Sequence, residues 1–579
     1  MIRLLSYLKY YKKESILGPL FKLLEALFEL IVPLIVAAMI DRGIQNGDRD
    51  YIIRSCLLLV GLAVVGLISA VTAQYFAAKA AAGFATRLRR ALFVHIGRLS
   101  FSQRGEMGTD TLITRLTGDL TQMQTGVNLT LRLLLRSPFI VVGATIMAFT
   151  VDFKAALIFT LVIPVLAAVV FGVMLASGPL YRRTQQRLDT LLGKTRENLE
   201  GTRVIRAFCK EEAEKEDFGR KNDSLLTAQL AAGRVSALMN PITFTIINLA
   251  VCLLIYTGGL RVQTGIITTG AVVALYNYMA QILVELIKLA SLIITVTKSV
   301  ASGRRIRAVL DIVPDMTEGT RTAGEPDSDY MLTFENVSFR YSDGAEDMLS
   351  HIDFKIKKGG SLGIIGGTGS GKSTLIHLID RFYDVSAGCV KIDGVDVRDY
   401  TFAALRGKIG IVPQKAVLFK GSIRENLLWG DKNATDEALL AALEAAQAKE
   451  FALSKPGGLD FPVEQEGRNL SGGQRQRLTI ARALVRRPEI LILDDSSSAL
   501  DYATDAALRR ALGKTDFAPT VITVSQRASS VRFCDVILAL DEGAAAGFGS
   551  SDELLESCAL YREIYETQYQ REGDDNGNP

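Results

Sequence analysis

Gly366-Gly367-Thr368-Gly369-Ser370-Gly371-Lys372-Ser373-Thr374 has the residue types and spacing of a loop that wraps phosphates. The glycines at 366, 369 and 371 let the backbone approach an anion and aim successive N–H groups at it. Lys372 adds a point charge at the β- and γ-phosphates, and the Ser373 hydroxyl is placed to ligate Mg²⁺. Asp494 ends the apolar run Ile490-Leu491-Ile492-Leu493, which suits a carboxylate that holds the water shell of that ion. Tyr341, in Phe339-Arg340-Tyr341, precedes the loop at a separation that fits an aromatic stacked on adenine; an ordinary edge-strand aromatic is the alternative. The chemistry of this set is the binding of ATP or GTP with Mg²⁺.

These residues need a strand–loop–helix frame. Ser361-Leu362-Gly363-Ile364-Ile365 predicts a short buried strand that feeds the loop. Lys372–Tyr383 predicts the helix that follows, with its positive end turned to the same anion. From Met331 onward the pattern is one of short strands and turns. The ATP-binding domain is therefore expected over 331–569. Gln570 to Pro579 is polar and is read as a disordered tail.

At 579 residues the chain is too long for one domain. Hydrophobic residues make up 49% and mean hydropathy is +0.23, and the excess lies before about residue 300. Six stretches there are each long enough to cross a bilayer, which takes about 20 residues. They run roughly over 16–40, 52–78, 128–150, 154–178, 239–260 and 268–298. Short turns are expected at Asp41–Asp50, near Asp152 and at Gly258–Gly265, and a helix break at Asn240-Pro241. The two long intervening segments, about 79–127 and 179–238, are helical in pattern and rich in Arg and Lys. Positive residues stay cytoplasmic, so both segments and both termini are expected in the cytosol. Met1 to Tyr11 is basic and aromatic and reads as an amphipathic helix on the inner surface, not a signal peptide. A transmembrane domain over 1–310 and a linker over 311–330, rich in Pro, Gly and charge, complete the division.

The net charge of +4 gives no reason to invoke nucleic acid, and six scattered cysteines form no disulfide framework or metal site. Charges inside spans stand out. Lys22, Glu25 and Glu29 share a face of the first span, and Asn277, Gln281, Glu285 and Lys288 form a stripe on the sixth. A mid-bilayer charge costs at least ~2.5 kcal/mol. These residues either line a polar substrate path or pair internally, Lys22 with Glu25 and Glu285 with Lys288. Three acidic side chains favour a cationic amphiphile. Arg132 and Arg136 are expected to snorkel at the cytosolic start of the third span.

The whole chain resembles a half-transporter of the ABC exporter superfamily, of the drug- and lipid-exporting type: an α-helical six-span transmembrane domain fused to an α/β P-loop nucleotide-binding domain. The matching pieces are Tyr341 (adenine loop), Gly366–Thr374 (Walker A), Gln414 in Ile411-Val412-Pro413-Gln414 (Q-loop, a Mg²⁺ contact), Leu470-Ser471-Gly472-Gly473-Gln474 (signature), Asp494 (Walker B) and Ser498-Ala499-Leu500-Asp501 (D-loop). Gly201–Phe208 resembles a coupling helix that touches an ATP-binding domain. The resemblance implies a head-to-tail dimer, with each ATP held between one subunit's loop and the other's signature.

Two positions depart from the family. Asp495 stands where the family carries the Glu that polarises the attacking water. Gln526 stands where it carries a His that contacts the γ-phosphate. Asp draws the carboxylate back by over ~1 Å, and an error of that size can cost ~10²-fold. A working general base contributes ~10²–10⁴. The three histidines, His95, His351 and His377, do not restore the motif. The expected arrangement is asymmetric. A second, non-identical half-transporter supplies a loop, Glu and His, and this chain's Ser471, Gly472, Gly473 and Gln474 act on the partner's ATP. A homodimer with slow sites, an ATP-gated regulator and an uptake transporter are the alternatives. The expected setting is a bacterial plasma membrane, with membrane lipids and a small amphipathic solute as further partners.

Overall fold

In the computed structural model the described residues are 2–342, 344–496 and 500–574. They fall into two compact units, Met1–Gly97 with Gly108–Val313, and Arg98–Met107 with Pro314 to the C-terminus.

Among the described residues of the first unit, six helices are long and apolar enough to cross a membrane, and each contains one of the expected stretches. The elements used below are α1 (Lys12–Ala38), α2 (Arg49–Arg98), α3 (Phe101–Met107, in the second unit), α4 (Leu120–Leu133), α5 (Arg136–Val151), α6 (Phe153–Glu200), α7 (Thr202–Ala207), α8 (Glu211–Ala237), α9 (Met239–Gln263) and α10 (Thr269–Leu310). At 1.5 Å per residue the 48 residues of α6 span roughly 70 Å, more than twice a hydrocarbon core of ~30 Å. The polar half of α6 thus continues one unbroken helix beyond the span.

Two expected boundaries shift. The turn placed at Gly258–Gly265 begins only after Gln263, because Gly258 stays helical and packs against Val272. The break placed at Asn240-Pro241 falls at Leu238. Pro241 then sits in the first turn of α9, where no intrahelical N–H is needed.

The core of this unit joins α1, α5, α6, α9 and α10 through Ala26, Leu30, Ala144, Phe159, Leu254 and Tyr278. Helix α4 lies close on α10. A Cβ at Gly126 would come within 2.3 Å of Ser299, so only the smallest residue permits that approach.

The charged residues do pair, and Arg136 corrects the expectation of snorkelling. Its side chain is 6% exposed. One guanidinium nitrogen donates to Glu285 at 2.6 Å, and another donates to both oxygens of Glu29 at 2.9 and 2.7 Å. The Ser137 hydroxyl and the Lys288 ammonium donate to Glu285, and Lys22 donates to Glu25. The cluster therefore balances three cations against three carboxylates, which removes the stated ground for preferring a cationic amphiphile. The charged fork suits two carboxylates, and a helix of α5 flanked by α1 and α10 holds it away from the surface.

In the two larger sheets of the second unit the strands are β1 (Tyr330–Phe339), β2 (Leu349–Lys357), β3 (Ser361–Gly366), β4 (Ala387–Ile392), β5 (Val395–Asp396), β6 (Ile409–Val412), β7 (Ile490–Asp494), β8 (Thr520–Val524), β9 (Val536–Asp541) and β10 (Ala544–Gly549). One sheet has the order β2-β1-β4-β5 and the other β10-β9-β3-β8-β7-β6. The second is parallel except for its β10 edge. The continuous apolar runs of β3 and β7 are buried along nearly their whole length, as a parallel strand covered on both faces requires. Three helices carry the site: α11 (Lys372–Ile379), α12 (Gly472–Val485) and α13 (Ala559–Asp574). Helix α13 extends through the first residues of the stretch read as a disordered tail, and 575–579 lie outside the described residues.

The segment read as a linker is bound for most of its length. The N–H groups of Gly319, Arg321 and Glu325 donate to the carbonyls of Tyr400, Asp399 and Asp393, and Arg381 donates to the Thr317 carbonyl. A Cβ at Gly324 would lie 1.9 Å from an Asp393 carboxylate oxygen. The glycines that looked like flexibility here mark close approach instead.

Asp380, at the C-terminal end of α11, is 3% exposed. Burial pushes its carboxyl up from the ordinary range to about 7, against the pull of Arg406 and Arg486. Between the unfolded value and about 7 the folded state keeps a proton that the unfolded chain has released. Its contribution to stability is full below the unfolded value and is lost as pH rises through about 7. We expect the thermal midpoint of this domain to fall as pH rises from about 4 to about 7 and to level off above that, and Asp380→Asn to flatten that slope in a pH series of melts.

Candidate functional site

The parallel register brings the site residues to one edge. Val524 on β8 stands beside Ile364 on β3 and Asp494 on β7, and Val412 on β6 stands beside Leu493. The phosphate loop, Asp494-Asp495, Gln526 and Gln414 therefore leave the C-terminal ends of neighbouring strands, the edge where open α/β sheets bind ligands.

The loop is shaped by backbone. Gly369 and Gly371 have φ of 84° and 95°, and Gly371 caps α11. A Cβ at Gly366 would come within 2.3 Å of the Leu540 carbonyl, so that position needs glycine too. Gly367, Thr368 and Gly369 are exposed, and a Cβ on Gly367 or Gly369 would meet nothing within 4 Å, so the outer face of the loop is unobstructed. Ser370 and Thr374 are buried, while Ser373 at the start of α11 is exposed.

Lys372 donates to the carbonyls of Gly366 and Gly367. Burial lowers its pKa, and the carboxylates of Asp495 and Asp494 push it back up. Burial raises the Asp494 pKa, and the neighbouring charge of Asp495 raises it further; the Gln414 backbone N–H and Lys372 oppose this. Two adjacent acidic groups facing a hydroxyl-bearing helix start are oxygen donors of the kind Mg²⁺ takes, and a cation there would relieve their repulsion. The residues present fit a Mg–nucleotide.

Asp495 has φ of 45°, a left-handed conformation that Asp tolerates better than most residues. Its N–H donates to the Val524 carbonyl, and its carboxylate accepts from the Gln414 amide at 3.3 Å. Gln526 is exposed just past β8. The sequence pattern missed Gln568 of α13. Its amide donates to the Gln526 carbonyl and accepts from the Ala528 N–H, so it brackets that turn. No motif marks it.

Tyr341 lies just past β1, half exposed, with its hydroxyl 2.8 Å from the Thr374 hydroxyl. That places an aromatic face beside α11, as an adenine platform requires. Ser471 caps α12. Its hydroxyl accepts from the Gln474 N–H while the Gln474 side chain accepts from the Ser471 N–H. The Ser-x-x-Gln spacing of the signature is thus a capping box. Ser471 and Gly472 are exposed and Gly473 is partly so. Of the D-loop, Ser498 and Ala499 lie outside the described residues; Leu500 is buried and Asp501 caps the next helix.

One further surface was not legible as a motif, and one lies on the expected coupling helix. Trp429, the only tryptophan, is 66% exposed and stacks on exposed Phe419 at 4.3 Å. On α7 and its end, Val204 and Phe208 are also exposed.

Comparisons with known proteins place the chain in context. Residues 15–286 match the family described as "ABC transporter transmembrane region", and 349–498 match that described as "ABC transporter". The chain is 35% identical to "Uncharacterized ABC transporter ATP-binding protein YfiB" of Bacillus subtilis (strain 168), across 100% of both chains. It is 34% identical to an "ATP-dependent lipid A-core flippase" of Desulfotalea psychrophila (strain LSv54 / DSM 12343), covering 83% of this chain and 84% of that one. The solved "Structure of a bacterial Atm1-family ABC exporter with ATP bound" superposes with a TM-score of 0.80 at 23% identity, covering 96% of this chain and 98% of the other, which is a likeness of fold.

Proposed function

The chain belongs to the ABC transporter family, as an exporter half-transporter with one membrane domain and one ATP-binding domain, and from that premise we propose that it is the weakly hydrolytic subunit of a heterodimer. It is a multi-pass membrane protein whose ATP-binding domain drives transport. Its own loop, with Tyr341, Lys372, Ser373, Gln414 and Asp494, holds Mg–ATP. Asp495 and Gln526 leave that ATP poorly activated. Ser471 and the N–H groups that follow it complete the partner's site, where a Glu and a His cleave ATP.

The observation that carries this reading is the contrast inside one domain. The two departures stand at the ends of adjacent strands beside the phosphate loop, while the signature is intact and exposed. Binding at both sites closes the two domains, and hydrolysis at the partner's site reopens them. The Phe419–Trp429 pair supports a docking surface for a cytosolic helix of the partner, and the exposed Val204 and Phe208 support the reciprocal contact. The cargo is an amphipathic solute, lipid or peptide moved out of the cytoplasm of a bacterial cell, with both termini cytosolic.

The test compares phosphate release by the purified chain alone and with a Glu- and His-bearing half-transporter. The expected result is near-background turnover alone and clear turnover together. In the complex, Ser471→Ala lowers turnover more than Asp495→Ala. Brisk turnover by the chain paired only with itself would overturn the heterodimer.

A further inference from the structure

We propose that Gln568 and Arg509 are positioning residues that clamp the turn 525–530, and so fix where residue 526 meets the γ-phosphate of the ATP in this chain's own loop. This rests on the reading of Gln526 as the residue that faces that phosphate.

The turn leaves β8 where the ladder ends. The Ser525 N–H still donates to the Ile364 carbonyl at 3.0 Å, but the paired register with β3 stops at Val524. Ala528 then opens a short helix, Ala528–Val531, and is fully buried, so its N–H has neither an intrahelical carbonyl nor water as a partner. Gln568 supplies one. Its side-chain amide accepts from the Ala528 N–H at 2.8 Å and donates to the Gln526 carbonyl at 2.9 Å, pairing with the turn as a neighbouring peptide group would. Arg509 grips the far end. One guanidinium nitrogen donates to the carbonyls of Ser529 and Ser530 at 3.2 and 3.4 Å, and another is held by Asp505 at 2.6 Å. Arg509 stands on the helix Tyr502–Leu512, which Asp501 caps.

The Gln568 jaw has a fixed base. Tyr561 of α13 is buried in one apolar cluster with Ala528, Val531 and Ile365. Ile365 directly precedes Gly366, so α13 and the phosphate loop are seated on the same packing. The separation between the loop and residue 526 is therefore set from two sides, by β8 and by α13. A misplacement of ~1 Å near reacting atoms can cost ~10²-fold, and the clamp serves that tolerance. Both jaws hold main-chain groups, so the clamp acts on whatever side chain stands at 526 and is intact with Gln there.

Hydrogen exchange of the full chain in lipid nanodiscs tests this, with no nucleotide, with saturating Mg–ADP and with saturating Mg–ATP. In the unmodified chain Mg–ATP should slow exchange in 525–530 about tenfold more than Mg–ADP, which corresponds to about 1.4 kcal/mol. Gln568→Met removes both bonds and keeps the bulk of the side chain. It should erase the difference between ATP and ADP in 525–530, while both nucleotides still protect 366–374 as before. A merely structural role would speed exchange of the turn equally in all three states and keep the difference. Asp505→Asn with Arg509→Met opens the other jaw without stranding an acid. It should have the same effect, and it decides the matter should Gln568→Met fold poorly. A difference that survives both variants overturns the proposal, and loss in only one of them overturns the role of the other residue. Equal protection of 525–530 by ADP and ATP in the unmodified chain sinks the placement of Gln526 at the γ-phosphate, and the clamp's function with it.

Discussion

Asp495→Glu combined with Gln526→His is expected to raise ATP turnover by the chain alone by roughly 10²–10⁴-fold, the range of a restored and correctly placed general base. The scaffold for this gain is in place. Asp494 and Asp495 leave β7 beside the phosphate loop, Gln526 leaves the neighbouring strand, and the capped signature is intact. A self-assembled pair of double variants would therefore hold two complete sites. Neither single change should suffice. Asp495 sits at φ 45°, where Glu is less comfortable than Asp, so part of the benefit of the longer side chain is spent on backbone strain. Steady-state phosphate release over the four combinations measures this. Equal rates for the double variant and the unmodified chain would show that the slow step lies elsewhere.

Arg136→Met should be the most destabilising single substitution in the membrane domain. It leaves Glu285, whose side chain is 4% exposed, with only Ser137 and the half-exposed Lys288 as partners, and it releases Glu29. Breaking a buried ion pair from one side costs about 3–5 kcal/mol. Thermal unfolding in detergent, followed by loss of the monodisperse peak, reads the effect. The quadruple variant Glu29→Gln, Arg136→Met, Glu285→Gln, Lys288→Met removes two cations and two carboxylates together and should recover most of the lost stability. Failure of the quadruple variant to recover would assign Arg136 a role beyond charge balance, such as direct contact with cargo.

Much of the ATP site was legible because its determinants are local. A glycine loop between an apolar strand and a helix, an acidic strand end, and Ser-x-x-Gln at a helix start each carry their geometry in a few neighbouring residues. The relationships that escaped are long-range. Position along a helix made Arg136 look like a surface anchor, and only the packing of α1 and α10 around it reveals two carboxylates. Composition made 311–330 look slack, since glycines at close approaches and glycines in loose chain read alike. Phe101 lay in a polar stretch with no motif, and its seat on Phe382 and Tyr383 is made by residues about 280 positions away in the chain.

The anchored segment after α10 has a mechanical consequence. The last transmembrane helix ends at Leu310, and the chain is already fastened by Asp315 and Thr317. Five to seven residues can stretch to about 25 Å at most, and a bent path takes up less. A tether this short has little play, so motion of the motor domain arrives at the helix as traction and is not absorbed on the way.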